Sequence, residues 1–256
     1  MDRVEEGNYI YCIIGTDQTI NYGPLGIGGR GDTVSTLGYQ GISCVISKSP
    51  LPNYVLSREN LMAHQLVIEK VMKEHTVLPV RFSTIAASAE DIRGFLRKRH
   101  VEFRNLLVDM DNKVELGLKV MWKNMAPVFG EIANANKDVK RLKDKIAANS
   151  IEKTYNDRIT LGELVVTGLR KKKEGDAEGI LGVLSPIAVD MRTNKLHGDN
   201  MLINAAFLVD GKMAKEFDSR VQELDENLKD NMKFKYVGPV PPFNFVNIVI
   251  ELNGAA

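Results

Sequence analysis

The run Val77-Leu78-Pro79-Val80-Arg81-Phe82 follows a segment with a clear helical period, and the two together indicate a helix that leads into a strand. Ser57 can cap the helix, and Leu61, His64 and Ile68 recur behind it at helical spacing. The run itself is short and apolar, as strands in a protein core are. This helix–strand pair predicts a sheet with a helix packed on it, so we expect a fold of the α+β class.

Three further strands are expected before this helix. Tyr9 to Ile14 is a short apolar run rich in β-forming residues, and it is followed by a Gly-rich stretch. Thr33 to Tyr39 and Ile42 to Ile46 are then separated by a short segment, as the two strands of a hairpin are. The N-terminal part of the chain therefore predicts a small sheet.

A second helix is expected after the Val77 to Phe82 strand. Ser88 and Asp91 have the spacing of a capping box, and an apolar stripe follows from Ile92 to Met110. We expect this helix to close a first domain near Asp111, so that residues 1–111 form an N-terminal α+β domain.

The rest of the chain, residues 112–256, predicts a second domain in the order strand, helical hairpin, strand, strand, helix, strand. This order is typical of the ferredoxin-like fold, here with an enlarged first crossover, and the first domain fits a reduced version in which that crossover is only a loop. The elements expected after residue 112 are a strand at Val114–Trp122, helices at Ile132–Ile146 and Leu161–Leu169, a β-hairpin over Ser185–Lys195 and Met201–Val209, a helix at Met213–Leu228, and a final extended region at Lys233–Leu252.

Charge and composition exclude several classes of function. The 256 residues include 34 basic and 33 acidic side chains, so the net charge of +1 produces no field that would attract nucleic acid or an anionic membrane. No apolar run is long enough to span a bilayer, and the acidic N-terminus does not resemble a signal peptide. We therefore expect a cytoplasmic protein. Cys12 and Cys44 are expected to be buried, reduced thiols.

The stretch Gly26 to Gly31 has the GxGxxG spacing of a dinucleotide-binding loop. That motif works by placing phosphates at a helix N-terminus, but the residues after Gly31 favour a strand. We therefore interpret the stretch as a turn-forming loop. The alternative is a ferredoxin-like regulatory protein that binds a nucleotide or another small molecule through this loop.

No catalytic or metal site is indicated by the polar residues. The histidines His64, His75, His100 and His197 lack partners at the spacings of metal ligands, and no nucleophile motif is present. His64 lies on the apolar side of its helix, where a hydrogen-bonded structural histidine is the simplest interpretation. We expect no catalytic residue, no metal and no cofactor.

Arg81 and the proline-rich tail each allow two interpretations. Arg81 stands among apolar strand residues, where burial would require a partner, so we expect an internal ion pair or else a position in a surface groove. Pro239 to Asn247 can enter the last strand of the C-terminal sheet, formed by Phe245 to Ile250. Alternatively the prolines and phenylalanines form a tail that binds a partner.

Taken in order, several blocks of the sequence resemble the gas vesicle protein GvpF/GvpL family, and F more than L, over nearly the whole chain. The blocks are Tyr9-Ile10-Tyr11, His64-Gln65, Val77 to Phe82, Lys113 to Val120, Tyr155 to Gly162, Met201 to Val209, and Gly238 to Val246.

The resemblance implies an accessory protein of gas vesicle formation or a minor component of the vesicle, which is not an enzyme. The implied partner is the small hydrophobic major wall protein GvpA, with other accessory gas vesicle proteins as further partners, and the implied location is the cytoplasm and the gas vesicle. The N-terminal sheet, with the Gly23 to Gly31 loop, is the contact surface we expect. The residues carried over from the family motif, as structural or partner-binding positions, are His64, Gln65, Leu78, Pro79, Arg81, Phe82, Pro239, Pro242, Phe243 and Phe245.

Overall fold

The computed structural model describes residues 5–51 and 54–250. The chain divides into two compact units. The first unit contains the residues up to Glu115 and those from Gly238 onward, and the second unit is Leu116–Val237. Both units are mixtures of helices and strands.

The first unit is built on a 6-stranded sheet, which confirms the strands expected before and after the first helix. Its strand order is β2-β3-β4-β1-β5, with β6 also pairing with β1, and the pairs are antiparallel. The two very short strands, β2 and β6, are too short to give a sequence signal. The strands are β1 (Glu6–Ile14), β2 (Asn21–Gly23), β3 (Val34–Tyr39), β4 (Ile42–Pro50), β5 (Val77–Pro79) and β6 (Ile85–Ala86).

Helices cover both faces of this sheet, which explains why the apolar run in β1 does not alternate. Helix α1 (Arg58–Met72) packs against Tyr9 and Tyr11 on one face. On the other face, helices α2 (Ala89–Lys98) and α3 (His100–Met110) pack against Ile10 and Ile13.

The single helix expected over Ile92 to Met110 is therefore two helices, and that expectation was wrong. The break is at Arg99, whose backbone leaves the helical region at φ −113° and ψ 22°. The Arg99 guanidinium donates to Glu102 and to the backbone carbonyl of Val249. Because no glycine or proline marks this position, the sequence had no local signal for the break.

The second unit carries a 4-stranded sheet in the order β10-β7-β9-β8. The β-hairpin expected near Asn194 and Gly198 is confirmed, since β8 pairs with β9 in antiparallel fashion. The strands are β7 (Lys113–Trp122), β8 (Asp190–Thr193), β9 (Met201–Asp210) and β10 (Met232–Val240), and the helices are α4 (Met125–Ala135), α5 (Lys137–Ala147), α6 (Tyr155–Leu184) and α7 (Ala214–Leu228).

The expected hairpin of two helices is instead a set of three. The first helical segment ends at Ala135, and a new helix begins because the Asn136 side chain accepts hydrogen bonds from the Asp138 and Val139 amides. Helix α6 then continues for 30 residues, far beyond the expected end at Leu169.

The largest difference from expectation concerns the tail after β10. We expected Phe245 to Ile250 to form the last strand of the C-terminal sheet, but β10 takes the edge of that sheet beside β7. Pro241 and Pro242 lack the N–H groups needed to continue a ladder. The residues that follow pack in the first unit, where Val246 and Ile248 are buried in the core. Residues 251 and 252 of the expected extended region lie outside the described residues.

The observed division therefore differs from the expected domains 1–111 and 112–256. The boundary lies after Glu115, a few residues later than expected, and the first unit also takes the chain from Gly238 onward. Burial of the tail's apolar residues against the first sheet is the physical cause.

Candidate functional site

An open groove of about 470 Å³ lies in the first unit, and we call it the Arg81 groove. Three parts of that unit form it: the side of α1, the end of β5 with the residues after it, and the tail. The lining residues are Leu61, His64, Gln65, Pro79, Val80, Arg81, Phe82, Phe243, Val246, Asn247 and Ile248.

Local structure explains how these side chains come together. Leu61, His64 and Gln65 are three and four residues apart on α1, so they share one helical face. Val80 forms a parallel bridge with Ile248, which fixes the tail beside the end of β5. Residues from three distant parts of the sequence therefore form one surface.

His64 is buried beneath this surface, with an exposed fraction of 3%. Its Nδ1 lies 3.0 Å from the hydroxyl oxygen of Tyr9, and that oxygen also accepts a hydrogen bond from the Ser83 amide at 2.9 Å. If the Tyr9 hydroxyl donates to Nδ1, the imidazole proton is on Nε2, and this assignment leaves the fewest groups unpaired. Nε2 is buried and has no hydrogen-bond partner among the described residues.

Burial keeps this imidazole uncharged. Loss of solvation lowers the pKa of His64 from 6.5 to about 4. The nearby Val80 backbone opposes this shift to a smaller extent, although it forms no well-aligned hydrogen bond with Nε2. The rings of Tyr11, Phe82 and Phe243 surround the imidazole at centroid distances of 5.7, 5.9 and 6.4 Å. The expectation of a hydrogen-bonded structural histidine is confirmed.

Arg81 does not form the internal ion pair that was expected. Its side chain is exposed, and no carboxylate in residues 5–51 and 54–250 lies within ion-pair distance of it. Arg81 lines the groove instead, which was the alternative interpretation. Because His64 is neutral, Arg81 is the charged group among the lining residues.

The residues carried over from the family motif separate into two sets. His64, Gln65, Pro79, Arg81, Phe82 and Phe243 meet at the groove. The other four do not line the groove: Leu78 lies in the core, Pro239 is exposed within β10, Pro242 is buried, and Phe245 is half-buried.

A buried polar contact that the sequence does not indicate positions the tail. Glu115 is 3% exposed, and its carboxylate accepts hydrogen bonds from the Asn244 amide at 2.8 Å and from Asn244 Nδ2 at 2.6 Å. Burial raises the pKa of Glu115, and these hydrogen bonds oppose the shift. Asn244 directly follows Phe243, so the contact also holds Phe243 at the groove. The alternating pattern of β7 places Glu115 within the strand, but it does not identify a partner 129 residues away in the sequence.

Exposed apolar side chains continue from the groove onto the outer side of α1. Met62 and Leu66 are four residues apart, with exposed fractions of 51% and 59%, and Val55 and Leu56 just before the helix are exposed at 77% and 72%. Leu61 connects them to the groove, because it lines the groove and is itself 42% exposed. We call Val55, Leu56, Leu61, Met62 and Leu66 the α1 apolar face. A concentration of large apolar side chains at one surface marks a contact site more often than scattered ones do.

The Gly26 to Gly31 loop is held by contacts within the first unit. The Ile27 amide donates to the Tyr11 hydroxyl, and the Gly26 amide donates to the Asp32 carbonyl. The loop is followed by β3 and not by a helix, so it lacks the helix N-terminus that a dinucleotide loop uses. The geometry matches a turn-forming loop.

Within the described part of the chain, no group of three or more histidine, cysteine or acidic side chains could hold a metal ion. The helices in the same residues include none with the length and hydropathy to cross a membrane. Cys12 and Cys44 are buried free thiols, and burial raises the pKa of each.

Comparison with known proteins gives consistent similarities over most of the chain. Residues 7–247 match the family described as gas vesicle synthesis protein GvpL/GvpF. Gas vesicle protein F1 of Halobacterium salinarum is 27% identical over 248 residues, which is 96% of this chain and 95% of that protein. Gas vesicle protein F of a Streptomyces species is 28% identical, covering 87% of this chain and 93% of its own. The crystal structure of GvpF from Anabaena sp. PCC7120 has a TM-score of 0.82 at 21% identity and covers 96% of this chain and 100% of that one.

Proposed function

Because the chain belongs to the GvpL/GvpF family of gas vesicle synthesis proteins, we propose that it is an accessory protein of gas vesicle assembly or a minor vesicle component. It binds the hydrophobic major wall protein GvpA by surface complementarity. The α1 apolar face beside the Arg81 groove is the observation that supports this proposal most directly.

The physical need for such a partner follows from the chemistry of a gas-filled shell. A wall subunit must expose apolar surface to gas, and in water that surface favours premature association. An accessory protein with its own exposed apolar surface can cover the subunit until it joins the shell. The first unit offers such a surface. We therefore propose that the contact expected on the N-terminal sheet is made by the α1 apolar face and the Arg81 groove.

We propose that the protein acts by binding and not by catalysis. Its proposed location is the cytoplasm and the gas vesicle, and other accessory gas vesicle proteins are its further proposed partners. The names of the relatives describe gas vesicle proteins and no reaction. The polar groups at the groove support a binding role, since His64 is neutral and its Nδ1 is engaged by the Tyr9 hydroxyl.

We also propose that both units are variants of the ferredoxin-like arrangement. In the second unit, the strand order β10-β7-β9-β8 is fourth, first, third, second in chain order. In the first unit, β5-β1-β4-β3 has the same order when the short β2 is counted as part of the crossover. Two sheets with one shared strand order support a common architecture.

The test of the proposed function is co-purification of the full chain with GvpA. The double substitution Met62→Ser and Leu66→Ser should reduce the amount of GvpA recovered about tenfold, because two apolar contacts with the partner are lost. The fold should be unaffected, since both side chains are exposed in the folded protein. The matched control is Val101→Ser with Val108→Ser on α3, whose side chains are 71% and 74% exposed in the same unit.

The control should retain GvpA at the wild-type level. If the wild-type chain does not co-purify with GvpA, or if the α1 variant retains GvpA as well as the control does, the proposed function is wrong in its partner or in its surface.

A further inference from the structure

The Arg81 groove combines apolar walls with one charge that has no counter-ion among the residues that the structure describes. Of the lining side chains, Arg81 is ionised and exposed, and the other lining residues include no carboxylate. A guanidinium at the rim of an apolar surface stays hydrated while the groove is empty. When an apolar partner covers it, the guanidinium loses that hydration and requires an acceptor.

A second donor lies beneath the same surface. The buried Nε2 of His64 meets no hydrogen-bond partner among the described residues, and it carries the imidazole proton when the Tyr9 hydroxyl donates to Nδ1. The Val80 backbone lies near this imidazole and opposes the lowering of its pKa, so the buried ring is already partly accommodated within the first unit. Arg81 is therefore the exposed donor at the groove without an ion-pair partner among the described residues, and it favours an acceptor of negative charge.

The backbone around the groove indicates the shape of the partner. A partner strand would need a free edge at β5, but Val80 at that edge is already bridged to Ile248 of the tail. The remaining wall is the side of α1, where Leu61 and Gln65 form one row and Met62 and Leu66 the next. Rows of side chains four residues apart form the ridges and grooves against which a second helix packs.

We propose that the Arg81 groove receives an apolar helical segment that carries one carboxylate side chain, and that this carboxylate pairs with the Arg81 guanidinium. The inference rests on the proposed function, since it specifies which part of an apolar partner is recognised. The apolar contacts provide the affinity, and the ion pair provides the selectivity. A fully apolar helix is disfavoured because it would cover Arg81 without supplying an acceptor.

The first arm of the test uses two synthetic peptides and the full chain. One probe is a leucine-rich amphipathic helical peptide with a single glutamate within its apolar face, and the other has glutamine at that position. Fluorescence anisotropy should give a dissociation constant about tenfold lower for the glutamate peptide with the wild-type chain. With Arg81→Gln the two peptides should bind equally.

The matched control is Arg104→Gln, because Arg104 is an exposed arginine of the same unit that lines a different cavity. This variant should keep the tenfold preference for the glutamate peptide. Arg81→Gln should melt at the wild-type temperature, since the side chain is exposed and has no ion-pair partner in the described residues. Equal binding of both peptides by the wild type, no binding of either, or a preference that survives in Arg81→Gln overturns the inference.

The second arm separates this inference from the proposed function by repeating the GvpA co-purification with Arg81→Gln and Arg81→Glu. Loss of GvpA from both variants supports the inference, as does restoration of the Arg81→Glu complex by an acidic-to-arginine substitution in GvpA. If the wild type fails to bind GvpA but the peptides are distinguished, the wall protein is the wrong partner and the groove's selectivity stands. If GvpA binds every variant and the peptides are not distinguished, the inference is wrong and the proposed function stands.

Discussion

At the residue scale, His64 shows how a polar side chain on an apolar helical face is accommodated. The helical period places it toward the core, and its hydrogen bond to Tyr9 compensates part of the burial cost. The partner is 55 residues away in sequence, so the period alone predicts the burial and not the contact.

We predict that the free energy of unfolding falls by up to about 3 kcal/mol as the pH is lowered from 6.5 to 4, owing to His64. The folded pKa of about 4 lies below the unfolded value of 6.5, so the unfolded chain binds the proton more readily between these pH values. This contribution is complete above pH 6.5 and is lost as the pH falls through the folded pKa.

The measurement is chemical denaturation of the wild type and His64→Gln across this pH range. The variant should be less stable at pH 7, because the Tyr9 contact changes, but the gap between the two proteins should narrow toward pH 4. A gap that is independent of pH would show that His64 does not titrate in this way.

At the element scale, the tail after β10 departs most from the sequence-based expectation. Its apolar residues fit a strand, but the pattern does not specify which sheet they join. Val246 and Ile248 alternate with the exposed Asn247 and Val249, so only one side of the tail faces the core of the first unit. This side also forms a wall of the Arg81 groove.

We predict that Ile248→Ala destabilises the first unit by about 2–4 kcal/mol, because Ile248 is 2% exposed and its loss leaves a cavity. Val249→Ala is the matched control, since the neighbouring Val249 is 41% exposed and should change stability by less than about 0.5 kcal/mol. Hydrogen exchange of the β1 amides measures the effect in the first unit. Equal protection of β1 in both variants would contradict the observed packing of the tail.

At the scale of the whole molecule, the first unit is discontinuous in sequence. The chain leaves it after Glu115, forms the second unit, and returns at Gly238. The hydrogen bonds between Glu115 and Asn244 join the two ends of this excursion within the first unit. A fragment that ends near Asp111 would therefore lack part of its own core, and the full chain is the appropriate material for binding experiments.

We predict that removing the residues after Pro242 destabilises the first unit and leaves the second unit intact. The deletion takes Asn244, Val246 and Ile248 from the first unit, so the β1 amides should exchange faster. Trp122 is the single tryptophan of the chain and lies in the second unit, so its fluorescence should report an unchanged unfolding midpoint.

The opposite result, a lowered Trp122 midpoint with β1 still protected, would mean that the tail completes the C-terminal sheet. That was the expectation from the sequence, so this comparison decides directly between the two placements of the tail.

The elements with a strong local pattern could be predicted from the amino-acid sequence. It predicted β1, the β3–β4 hairpin, α1, β7, the β8–β9 hairpin and α7, together with the burial of His64. Except in β1, whose continuous apolar run marks burial on both faces, the local alternation of apolar and polar residues indicates which side of an element avoids water. The GxGxxG loop was also judged correctly as a turn, because the residues after it favour a strand.

The tertiary structure alone decided what covers each apolar side. It broke the helix at Arg99, extended α6, moved the tail to the first unit and placed the exposed Arg81 at the rim of a groove. The physical reason is that burial free energy depends on the area removed from water and not on which surface removes it. A periodic pattern therefore specifies that a face is covered, and only the folded chain specifies by what.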